Sequence, residues 1–237
     1  MLTIKQQRKM CAYLKDVATS FLGGREVDVY YCKRTDDVGI TSRDIIVLGV
    51  AQRYVSKLQF EDRIRFYAGV FAHELMHQLL TKFDLQEKRI KSLPEDEYER
   101  YYEIYNTLED YAVDFQSYKY ISGTLLRNLH FSRSVLYRAI APVNQYKSAF
   151  YQYVNAFIQY KLGGAYKGFF TSIEAEECYE DTADLWYKAR KTESFEDRLK
   201  IVDVLFERTK PMWNDISRSS SSPCDDCGRC YKKRKVA

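Results

Sequence analysis

The segment "GVFAHELMHQLL", residues 69–80, constrains this chain more than any other stretch. From Ala68 to Leu80 it is uncharged apart from His73, Glu74 and His77. Ile64, Tyr67, Val70, Phe71, Leu75 and Leu79 recur at helical spacing, which predicts a helix from Phe60 to about Lys82. An apolar helix that buries two imidazoles and a carboxylate must satisfy them, because an unpaired buried charge is costly. Residues four apart project from one helix face, one turn apart. Neutral imidazoles at that spacing can both reach one zinc ion at about 2.0–2.1 Å. Glu74, on the adjacent side, can contact a metal-bound water without binding the metal. The plain alternative is a core helix with hydrogen-bonded histidines.

Two histidines hold a metal weakly, so a third ligand is required. Thr81 stands where a third histidine would continue the face, and the only other histidine is His130. A second long helix, expected from about Glu95 to Tyr120, carries "NTLEDYAVD", residues 106–114. Asn106, Asp110 and Asp114 recur every four residues as one polar stripe. Asp110 could bind the metal while Asp114, with Asn106 beside it, supports the site and orients a zinc-bound imidazole through its free N–H. Glu109 lies on the stripe of Tyr98, Tyr102, Tyr105 and Ala112, where a buried carboxylate also asks for a partner. The spacing leans slightly to Asp110 and leaves Glu109 open. A solvated acidic face is the competing explanation.

"VFAHELMHQL" resembles the active-site helix of the zincin metallopeptidases. "NTLEDYAVD" resembles segments of bacterial and phage metallopeptidase-like domains found beside von Willebrand A modules. The resemblance covers about residues 40–120; no von Willebrand A module follows, and the helical C-terminal region matches nothing in that family. It implies an α+β, predominantly helical chain with a zincin-like core. It also implies zinc as cofactor, His73 and His77 as ligands with Asp110 or Glu109 as the third, and Glu74 as the catalytic carboxylate. Such a site hydrolyses peptide bonds: zinc lowers the pKa of its water to about 7, and Glu74 moves the proton to the leaving amine. The tetrahedral oxyanion needs a further donor, for which His130 or a tyrosine such as Tyr111 is a candidate.

The 237 residues suffice for one large domain or two small ones. We expect a metallopeptidase core over 1–125 with a small sheet at about 26–50, a helical region over 126–216 packed on it, and a tail over 217–237. "EVDVYYC" (26–32) and "IIVLGV" (45–50) read as strands, and "KRTDDVGITSRD" between them as a polar turn or excursion. "FDLQEKRIKSLPEDEYER" reads as a charged connection ending in a helix start. Beyond Gly123 the chain reads as helical to about Lys210, interrupted around Gly163, Gly164 and Gly168.

Charged residues make up 30% of the chain and no apolar run approaches the roughly 18–20 residues of a membrane span. The N-terminal helix is broken by charges, unlike a secretory signal, so a cytoplasmic setting is expected. The net charge of +4 does not by itself imply nucleic acid. In the tail, Cys224, Cys227 and Cys230 form two C-x-x-C steps before "YKKRK". They could bind a second metal with a fourth ligand from Cys178, Asp225, Asp226 or another chain, although a disordered tail fits the Ser-rich composition better. A protein or peptide is the expected partner. A DNA-associated, SprT-like protease acting through the basic tail is an alternative, although Thr81 replaces the histidine such proteins carry there. A catalytically silent interaction protein is another.

Overall fold

The computed structural model describes residues 3–32 and 38–213. The N-terminal helix α1 (Ile4–Phe21) starts at Thr3, whose side chain accepts from Gln6 N–H while the Gln6 side chain returns the bond to the Thr3 backbone. Three short strands follow: β1 (Asp28–Cys32), β2 (Gly39–Ser42) and β3 (Ile45–Gly49). Their sheet order is β1-β3-β2. β3 is central; it pairs parallel with β1, Tyr30 opposite Val47, and antiparallel with the edge strand β2, Ile40 opposite Val47. The β-branched run "IIV" suits a strand with one face in the core: Ile46 and Leu48 are buried, while Ile45 on the other face is exposed.

The short helix α2 (Gln52–Val55) leads into α3 (Phe60–Leu80), which carries the histidines. Then come α4 (Phe83–Lys91), a 3₁₀ turn at Glu95–Glu97, and α5 (Tyr98–Tyr120). The remaining helices are α6 (Gly123–Ala139), α7 (Ala149–Gly163), α8 (Ile173–Lys191) and α9 (Phe195–Arg208). Among the described residues the protein is α+β and mostly helical. No helix is long and apolar enough to cross a membrane.

Three differences from the sequence expectation concern short elements. The polar excursion contains β2, and the charged connection contains α4, which buries none of its residues. The C-terminal helical run breaks around residues 140–148 and 192–194 as well as after Gly164, whose φ of 77° closes α7 in the left-handed conformation that glycine adopts without strain.

The core has three parts. One joins α1, the sheet and α3, and includes Val135 of α6. A small one joins α3, α5 and α6 through Ala72, Met76, Val113 and Leu129. The largest is rich in aromatic rings and joins α5 to α7, α8 and α9 around Tyr101, Tyr105, Phe157, Trp186 and Phe206. Helix α6 lies against α3 so closely that a side chain on Gly69 would overlap the Asn128 backbone. Residues beyond 125 therefore share the core of the segment before it. Helix α5 contributes to two of the three parts and carries the acidic stripe between them.

Candidate metal centre

Helices α3 and α5 run together so that His73, His77 and Asp110 converge. His77 Nε2 lies 3.1 Å from His73 Nε2 and 3.1 Å from Asp110 Oδ1. His73 Nε2 lies 3.4 Å from the same oxygen. Among the described residues this group of His, Asp, Glu and Cys side chains could hold a metal ion. Ligands at about 2.0–2.1 Å in a tetrahedron are about 3.3–3.4 Å apart, so the triangle has the size a zinc ion requires.

The hydrogen bonds on the far side of each ring decide what the triangle offers. His73 Nδ1 is 2.8 Å from Asp114 Oδ1. The same nitrogen is 2.7 Å from Nη2 of Arg133 of α6, which also pairs with Asp114; Asp114 can only accept from the ring and Arg133 can only donate to it. His77 Nδ1 is 3.1 Å from Thr81 Oγ1, and that hydroxyl donates to Glu109 Oε1 at 2.8 Å. A hydroxyl committed to Glu109 accepts from His77, so His77 carries its proton on Nδ1. His77 Nε2 then turns its lone pair toward His73 Nε2 and the anionic Asp110 Oδ1, and a cation or a proton shared among the three atoms satisfies them.

Buried charges of both signs surround this point. Lys161 of α7 donates to Asp110 Oδ2 at 2.8 Å, with its side chain 6% exposed. Burial opposes ionisation of Asp110, but Lys161 and His73 outweigh it and hold the carboxyl well below the usual carboxylate range. Burial pulls the Arg133 guanidinium down to about 10 and lowers the Lys161 ammonium, against the pull of Asp110 on both. Glu74 is 6% exposed. Burial pushes its carboxyl above the usual range, against His73 and His77. A carboxyl so placed holds a proton more readily than an exposed one, as an acid–base group does. Its Oε1 lies over Gly39 of β2, so that a Cβ on Gly39 would overlap it.

Searches against protein-family models, curated proteins and solved structures find no match.

Of the sequence candidates, the structure brings His73, His77, Asp110 and Asp114 together, with Glu74 next to His73 on α3. Glu109 does not join them. It is 2% exposed and forms a two-pronged ion pair with Arg198 of α9, both contacts 2.9 Å. Its part is to support His77 through Thr81, so the residue that displaced a third histidine is a link in the centre. Asn106 is exposed on α5 and makes no hydrogen bond to this cluster among the described residues. His130 is also exposed; its ring lies against Tyr118, centroids 5.3 Å apart, on the outer face of α5 and α6. The Tyr111 hydroxyl accepts from Arg190 at 2.8 Å and faces α8. Neither is placed as an oxyanion donor. Cys224, Cys227, Cys230, Asp225 and Asp226 lie outside the described residues; Cys178 is on α8, beside the aromatic core.

Sequence reasoning missed Arg133, Lys161, Arg198 and Gly39. Lys161 left a signal: it is the single charge in "AFYQYVNAFIQYKLG", the whole of α7. Arg133 and Arg198 sit among other charges and left none.

Proposed function

We propose that this protein is a zinc-dependent metallopeptidase with a zincin-like core. The observation that supports this most is the triangle of His73 Nε2, His77 Nε2 and Asp110 Oδ1, with the far side of His73 against Asp114 and that of His77 linked through the Thr81 hydroxyl to Glu109. Those three residues would hold the ion. A zinc ion there supplies a Lewis acid for a peptide carbonyl and makes water acidic enough to attack it. Glu74 takes the proton of the attacking water and returns it to the leaving nitrogen. With the ion bound, Asp114 would accept from His73 Nδ1 while itself paired with Arg133, and Thr81 with Glu109 would keep His77 in the ligating tautomer. Burial of Glu74 keeps its carboxyl away from bulk water and raises its proton affinity above that of an exposed carboxylate.

The test is metal analysis and peptide-library hydrolysis on wild type, His77→Ala, Asp110→Asn, Glu109→Gln and Glu74→Gln. Wild type should carry about one equivalent of zinc. His77→Ala and Asp110→Asn should lose it. Glu109→Gln should keep it with affinity weakened about 10–100-fold. Glu74→Gln should keep the metal and lose turnover by about 10²–10⁴-fold. A wild type that binds no divalent metal would make the cluster a buried ion-pair network instead. Zinc bound without turnover on any peptide would favour a silent interaction protein.

A further inference from the structure

The two oxygens of Asp110 are divided between different partners. Oδ1 faces the imidazoles, at 3.1 and 3.4 Å, while Oδ2 takes a proton of Lys161 Nζ at 2.8 Å. This lysine comes from α7, outside the two helices that carry the ligands. Its side chain is buried, and α7 otherwise turns apolar residues and glutamines inward, Phe150, Tyr153, Val154 and Phe157 among them. Burying an ammonium costs stability unless it is paired. A cation placed directly behind a metal ligand also weakens that ligand's hold on a metal by competing for its charge.

We infer that Lys161 is a positioning residue of this centre, holding Asp110 to ligation through Oδ1 alone. The inference rests on the metal reading proposed above. A carboxylate with both oxygens free can bind a cation with one or both of them. Ligation by both would raise the coordination number to five and crowd the place that a hydrolytic zinc site keeps for water or substrate. Lys161 occupies Oδ2 and so keeps that place free. The C-terminal helices thereby govern the coordination number of a site built from the N-terminal ones.

Cobalt(II), loaded into wild type, Lys161→Met and Lys161→Arg, tests this directly through its visible spectrum. Wild type should show the intense bands of a four-coordinate ion. Lys161→Met should show the weaker, shifted bands of a five-coordinate ion, and Lys161→Arg should restore the wild-type spectrum. An ion pair that only stabilises the fold would lower the melting temperature of Lys161→Met and leave the cobalt bands unchanged, which would overturn the inference. X-ray absorption on zinc-loaded wild type gives the same answer if Lys161→Met does not fold. One close carboxylate oxygen is expected, and two at ligating distance would overturn it. If wild type takes up neither metal, the metal centre fails first and the role of Lys161 with it; spectra of loaded protein separate the two failures.

Discussion

Gly39 is defined by what it lacks. A methyl group there would overlap Glu74 Oε1 and the Val70 side chain. Gly39→Ala should therefore retain the metal, which Glu74 does not hold, and lose turnover by about a hundredfold as the carboxylate is displaced. Zinc content and hydrolysis measured on the same sample check this. Glu103 gives a prediction of a different kind. Burial, with Glu99 nearby, raises its carboxyl to about 7. A raised carboxyl binds its proton more tightly folded than unfolded, so its ionisation costs stability as pH rises from about 4.5 to above 7. Glu103→Gln removes that cost. It should stabilise the protein by about 1–3 kcal/mol at pH 8 and by much less at pH 5, as denaturant titrations at the two pH values will show. The residue types of the centre were legible in the sequence because His73, Glu74 and His77 sit alone in an apolar helix. The choice of Asp110 over Glu109 was not, because the residues are adjacent on α5 and only Arg198, 89 positions further on, separates their roles.

At the scale of elements, the long helices could be read from periodicity and the short pieces could not. β2 has four residues and one apolar position with strand character, Ile40, so nothing marked it against a turn. Its place as an edge strand depends on α3: Gln78 donates to Thr41 Oγ1 at 2.7 Å and to the Ser42 carbonyl. α4 buries no residue, so it carried no apolar stripe to recognise. Contacts between helices were invisible for the same reason that Arg198 was. Arg198 closes the end of α3 by donating to the Leu80 carbonyl and to Glu109, with 1% of its side chain exposed. Arg198→Met would leave Glu109 buried without its cation. It should cost about 3–5 kcal/mol and weaken metal binding through Thr81 and His77. Calorimetry with and without zinc measures both. Gly69 sets the approach of α6 to α3. Gly69→Ala should cost about 1–3 kcal/mol by overpacking and move Arg133 off Asp114.

At the scale of the molecule, the division at residue 125 expected from the sequence runs through a shared interior. α6 supplies Val135 and Leu129 to the cores of the first half, and its Arg133 reaches the centre. α7 and α9 add Lys161 and Arg198. A chain ended at 125 keeps every ligand, yet should bind zinc at least tenfold more weakly than the full chain, if it folds at all. Isothermal titration on the two chains tests this.

Because α5 reaches from the imidazoles to the aromatic rings, heat should melt the protein in one step. Trp186, stacked on Phe157 at 4.2 Å and donating to the Tyr153 hydroxyl, sits in the aromatic core one turn from Arg190, which reaches Tyr111 beside Asp110. Its fluorescence should therefore report chelation at the imidazoles.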